Sequence, residues 1–214
     1  FFKYKYKVRY YKSEEVNSIE KINHPVVREV LKQMRIKNGL EINHNADLPA
    51  RSGLGSSSAF TVGLMNGINA SIKTFISKEN LAKKAIHMEQ SILKENVGSQ
   101  DQVATAFGGL NQITFNKNNF RVNPVIINDN KKKLLNEKLM LFFTGYSRNS
   151  SSISKYHIKA IKKKDKELEK MKELSEEALN YLQSSSIDST IGKLLNEQWM
   201  IKKSITNKIS NNKI

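Results

Sequence analysis

The chain contains no cysteine, only three prolines and a single tryptophan among its 214 residues. Without cysteine, a disulfide framework and a thiolate zinc site are excluded, which fits a reducing compartment and leads us to expect a cytoplasmic protein. No apolar run approaches the roughly 18 residues of a membrane span, so no segment is expected to cross a bilayer. A cleavable leader pattern is also lacking, and a first residue of Phe1 in place of Met leads us to expect earlier sequence. The four histidines show no metal-ligand spacing, since "HMEQS" around His87 is not HExxH. His87 is expected on an ordinary helix surface.

Acidic residues are in deficit, 20 against 36 lysines and arginines, which leaves a net charge of +16. Such a balance invites a nucleic-acid reading. The lysines, however, are spread along the whole chain, and the densest stretch, "KKKDKELEKMKE" (162–173), interleaves bases with acids. Charges three or four residues apart support one another along a solvated helix. No nucleic-acid reader motif accompanies them, so a solvated surface that draws in small anionic substrates is expected instead.

The hydrophobic fraction, 38%, is ordinary for a globular chain able to bury a core. Phe2, Tyr4, Tyr6, Val8 and Tyr10 alternate with Lys3, Lys5, Lys7 and Arg9, which predicts a half-buried strand with one wet face. Val26, Val27, Val30, Leu31 and Met34 recur at helical spacing after Pro25, predicting a helix to about Ile36. Residues 40–47 alternate again as a strand. A helix is predicted from Ala59 to about Ile72, with Phe60, Leu64 and Ile68 on one ridge. Gly63 and Gly67 weaken it by about 1 kcal/mol each, and close packing against a neighbouring element is the expected compensation. Ser77 is expected to cap the next helix, whose buried side is Leu81, Ala85, Met88, Ile92 and Leu93. A short helix over "VATAF" ends at Gly108-Gly109. Strands follow at 110–115, 120–127 and, after a basic turn, 138–145; long charged helices are predicted around 150–182 and 187–209. Strands and helices are mixed without regular alternation, so the fold class is α+β.

Residues 49–60 read "PARSGLGSSSAF". A helix N-terminus leaves backbone N–H groups without partners and carries a partial positive charge. Gly53 and Gly55 would let a ligand approach the main chain, and Ser56, Ser57 and Ser58 add hydroxyls for phosphate oxygens or a magnesium ion. The lysine of GxxxxGK[ST] is absent, and GxGxxG fails because position 58 is serine. From the residues alone, a phosphate cradle and a plainly capped helix both stand.

The loop resembles the second signature of the GHMP kinases (galactokinase, homoserine kinase, mevalonate kinase, phosphomevalonate kinase). Together with "HMEQSILKENVGSQDQVATAFGGLNQITF" (87–115) and "LFFTGYSRNSSSI" (141–153), it is similar to one branch, the bacterial heptose 7-phosphate kinases and related sugar kinases. The resemblance implies a two-domain α+β fold. Its ATP-binding N-terminal domain spans 1–133, of the kind also seen in a ribosomal protein domain, and a C-terminal domain begins at 134–214. It implies ATP and Mg2+ as cofactors and a sugar or sugar phosphate as acceptor, with no membrane partner, nucleic acid disfavoured and a homodimer left open. Arg51, Ser52, Gly53, Leu54, Gly55, Ser56, Ser57 and Ser58 would bind the ATP phosphates. Ser57 and Glu89 would hold magnesium, with Glu95 the rival ligand, and Asp101 of "GSQDQ" would accept or orient the proton of the sugar hydroxyl. Arg148 is a further candidate for gripping phosphate.

The family's N-terminal sugar-contacting segment and C-terminal glycine-rich motif are not found in this sequence. The expectation is therefore an internal portion of a longer kinase, weakly active or inactive alone, with an unpaired sheet edge. The alternatives are a galactose-, fucose- or mevalonate-type kinase, a catalytically dead ligand sensor, and a basic nucleic-acid-binding protein without catalysis.

Overall fold

A computed structural model describes residues 3–47, 53–117, 119–143, 160–161, 164–184, 187–206 and 209–210. The chain divides into two compact units, Phe1–Phe107 and Gly108–Ile214. The first holds a three-stranded sheet in the order β2–β1–β3. Strand β1 (Tyr6–Arg9) pairs antiparallel with β2 (Ser13–Val16) and parallel with β3 (Leu40–Asn43). A parallel return needs a crossover, which a turn at Ile19–Lys21 and helix α1 (Pro25–Gln33) supply. Among the described residues β3 is paired on one side only.

The alternation of β1 predicts its buried residues only in part. Tyr6 and Val8 enter the core, but Lys7 is buried as well. Its ammonium lies 2.5 Å from Glu15 Oε1 and 3.3 Å from the Tyr4 hydroxyl. Those partners explain how a lysine tolerates the position the pattern assigned to solvent. Strand β2, for which the apolar pattern gives no signal, carries a second buried polar group. The Glu14 carboxylate accepts from the Tyr10 hydroxyl at 2.7 Å and from the Asn23 and His24 amides at 2.6 and 3.1 Å. Burial pushes this carboxyl up, but the three donors outweigh it and leave its pKa below the ordinary value.

Pro25 opens α1 and His24 caps it, Nδ1 accepting from the Val27 N–H. Val26, Val27, Val30 and Leu31 face inward as their spacing requires. They meet Tyr6, Val8 and Ile22 together with Val62, Met65 and Ile68 of α2 (Ser56–Ser71). Helix α3 (Lys78–His87) is capped by Ser77 and contributes Leu81 and Ala85, and Met88 follows in the next turn. His87 is exposed, as expected.

Two features of α2 differ from the sequence reading. It begins at Ser56, three residues early, because Gly55 adopts φ +70° as its N-cap and all three serines enter the first turn. Its buried face is wider than the ridge: Ser58, Thr61, Val62, Met65 and Ile68 are buried, while Phe60 and Leu64 pack against the core half-buried and also line a groove of about 730 Å³ between α2 and β3. Gly63 and Gly67 open onto that groove, and a Cβ at either would meet nothing within 4 Å. Among the described residues, the expected close packing against them is absent.

In the second unit, β4 (Asn111–Asn116) and β5 (Asn119–Pro124) form an antiparallel hairpin. The basic stretch expected as a turn is instead a helix, α5 (Asp129–Lys138), which Asn128 caps. Leu139–Phe143 stand exposed and unpaired among the described residues, where a strand was predicted. Helices α6 (Asp165–Ser184) and α7 (Thr190–Ile205) pack together, burying Leu174 and Leu194. Lys170–Glu173 and Lys172–Glu176 pair along α6 as the interleaved charges require.

Candidate active site

The head of α2 is built by Gly55. Its left-handed backbone turns the chain into the helix, and Ala59 N–H closes the first helical bond on Gly55 O at 2.9 Å. A glycine N-cap has no side chain to accept from the first-turn amides, so those of Ser56, Ser57 and Ser58 get no bond from it. Gly53 is also left-handed, at φ +84°. Gly53, Leu54 and Ser57 are exposed and Ser56 half-buried. Arg51, Ser52 and Arg148 lie outside the described residues.

Helix α4 (Gln100–Phe107) brings Asp101 to the same place. A Cβ added at Gly55 would stand 3.1 Å from Asp101 Cγ and Oδ2, so the carboxyl rests directly on the loop. A side chain there would press on the Asp101 carboxyl, which would have to give by a few tenths of an ångström. Asp101 itself is exposed, while its neighbour Gln102 is completely buried.

Glu89 is not the solvated carboxylate that most helix glutamates are. It lies in a single π-helical turn, Met88–Ile92, continuing α3, and is 1% exposed. Such wide turns recur at functional positions. Oε1 accepts from the Thr61 hydroxyl at 2.7 Å; Oε2 accepts from the Ser58 hydroxyl at 2.8 Å and from Gln102 Nε2 at 2.5 Å. Three elements therefore meet on one carboxylate: the first turns of α2, the π turn, and the start of α4. Three charge-assisted bonds are what make a buried anion tolerable. Ser58 consequently faces Glu89 and not the loop.

A carboxylate offers about four acceptor positions, which leaves one on Oε1. Glu95 is half-buried nearby, its amide bonded to Glu89 O at 2.9 Å. Burial, and then the Glu89 charge, push the Glu95 carboxyl above its ordinary value. Among the described residues, no three histidine or acidic side chains cluster as a metal cage. Magnesium that keeps several waters and its nucleotide oxygens needs only one or two protein ligands, and the open position on Glu89 Oε1 is the one this buried carboxylate has left to offer.

Thr61 and Gln102 carry no signal in the apolar pattern. Thr61 follows Ser58 by three residues, on the same helical face, and Gln102 shares the first turn of α4 with Asp101. Only the position of Glu89 gives those spacings meaning.

Residues 19–109 match the family described as GHMP kinases N terminal domain. Among curated relatives, the D-glycero-alpha-D-manno-heptose 7-phosphate kinase of Campylobacter jejuni is 30% identical over 172 residues, 79% of this chain and 50% of that protein. The chain thus spans about half the length of that relative. A D-glycero-D-manno-heptose 1-phosphate kinase from Bacteriodes thetaiotaomicron superposes with a TM-score of 0.70 at 22% identity, over 93% of this chain and 63% of that one. A mevalonate kinase gives 0.67 at 19% identity, over 97% of this chain and 68% of its own. The fold is that of the GHMP kinases, mixed α+β, as the sequence led us to expect. Among the described residues, no helix is long and apolar enough to cross a membrane.

Proposed function

We propose that this chain is the nucleotide-binding part of an ATP-dependent sugar kinase whose acceptor is a heptose 7-phosphate or a related sugar. One observation carries the reading: the Asp101 carboxylate converges on the glycine turn at the head of α2. Phosphoryl transfer asks for charge neutralisation on one side and an oriented hydroxyl on the other. First-turn amides meet the first need, assisted by the helix dipole and by Arg51 and the other loop residues. Asp101 meets the second, accepting or orienting the proton of the sugar hydroxyl.

Ser57, through its exposed hydroxyl, and Glu89, through the open position on Oε1, would hold Mg2+. Magnesium supplies charge neutralisation between the phosphates. The 30% identity to a heptose 7-phosphate kinase supports the acceptor class. The net charge of +16 favours anionic substrates in general. A cytoplasmic setting, where ATP is held, belongs to the same reading.

The test, on the complete protein that carries this chain, is a panel of heptose 7-phosphate, heptose 1-phosphate, galactose, fucose and mevalonate, with ADP release as readout, alongside melting with and without ATP and Mg2+. Expected are an ATP-dependent rise in melting temperature and turnover on a heptose phosphate. Asp101→Asn should keep the thermal shift and lower kcat by about 10²–10⁴-fold. Undiminished turnover in D101N would remove the assignment of Asp101, and absence of any ATP shift would remove the kinase reading.

A further inference from the structure

We propose that Gln102 is a positioning residue that holds Asp101 against the head of α2 by clamping the first turn of α4 to the Glu89 carboxylate. The proposal rests on the kinase reading of Asp101. Gln102 is fully buried, and its Nε2 donates to Glu89 Oε2 at 2.5 Å. The same carboxylate is bound from α2 by Ser58 and Thr61. Adjacent residues of a helix project about 100° apart, so one turn of α4 presents Asp101 to the loop and Gln102 to the interior. Fixing one fixes the other.

The unused half of the amide supports this reading. A carboxylate can only accept, so the NH2 group must face Glu89, and Gln102 Oε1 is left buried without a hydrogen-bond partner among the described residues. A buried acceptor without a partner is a cost. If the position served packing alone, a leucine or methionine would fill the space without that cost. The amide is explained by the direction it imposes: a methionine has no donor to register α4 against Glu89.

The test uses Gln102→Met, nearly volume-conserving, in the protein carrying this chain. Expected is a fall in kcat of about 10- to 100-fold, the scale of a misplacement near 1 Å, with KM for ATP changed no more than about threefold. D101N/Q102M should be no slower than D101N, because Gln102 acts through Asp101. Amide hydrogen exchange over 103–106, whose N–H groups bond back onto the first turn, should quicken in Q102M. Multiplying effects in the double variant, or exchange at the wild-type rate, would overturn the proposal. If Q102M melts too early to assay, Gln102→Asn withdraws the amide by one methylene while keeping its polarity, and the same readouts apply. Failure of the kinase reading shows differently, as a wild-type protein without turnover or a D101N variant at full rate. Hydrogen exchange then still decides whether Gln102 clamps the turn.

Discussion

Asp101 and Gly55 are in contact across 46 residues of sequence, and a side chain at Gly55 would stand 3.1 Å from the Asp101 carboxyl. Gly53, two residues earlier, is equally left-handed but, among the described residues, has nothing within 4 Å of its Cβ position. The two glycines therefore separate backbone strain from displacement of Asp101. Gly53→Ala should cost about 1–2 kcal/mol of stability, the strain of a left-handed alanine. Gly55→Ala should cost at least as much and also lower turnover by 10-fold or more, on the scale of a misplaced catalytic group. Urea unfolding and steady-state kinetics on both variants check this; equal turnover would show that the contact has no role.

Glu89 anchors three hydroxyl or amide donors in a buried place. Glu89→Gln places an NH2 group among those donors and should destabilise by about 2–3 kcal/mol; Thr61→Val, losing one donor, should cost about 1–2 kcal/mol. If Glu89 were instead a strained charge kept only for a metal, its neutralisation would stabilise the fold. Chemical denaturation without magnesium distinguishes the two signs.

His24 lies among Tyr10, Phe60, Glu14 and His44, with ring centroids 4.9 Å from Tyr10 and 5.1 Å from Phe60. Burial holds its pKa below the ordinary 6.5, Glu14 opposing this and His44 adding to it. The folded state thus binds fewer protons than the unfolded chain between the lowered value and 6.5. This part of the stability is complete above pH 6.5 and drains as pH falls through the native pKa. Protonation would also occupy Nδ1, the acceptor that caps α1. Melting temperature measured from pH 7.5 to pH 5 should fall, and His24→Asn, which keeps a capping oxygen, should flatten the slope.

Gly63 and Gly67 face an open groove from the middle of a 16-residue helix. Alanine at either position meets no atom and should stabilise by about 0.5–1 kcal/mol through helix propensity. A loss of stability in G63A or G67A would mean that something occupies the groove in solution.

Much of the local structure was legible in sequence order. Period-two alternation marked β1 and β3, helical spacing marked α1 and α3, Ser77 marked a cap, and the glycine–serine turn marked the head of α2. These depend on neighbours along the chain, which pattern and propensity describe well. The ridge of Phe60, Leu64 and Ile68 does pack on the core, but the pattern missed Ser58 and Thr61 because they read as polar. They are inside only because Glu89, 31 and 28 residues away, provides an acceptor there. Lys7 and Glu14 entered the interior for the same reason, and Gly63 and Gly67 proved to face open space. The sequence by itself determined which segments coil, extend and turn, because those choices are settled by backbone sterics and the spacing of apolar side chains. Tertiary structure alone decided which polar groups are buried and that Asp101 meets Gly55, because a polar group's place depends on the partner that long-range folding brings within hydrogen-bond reach.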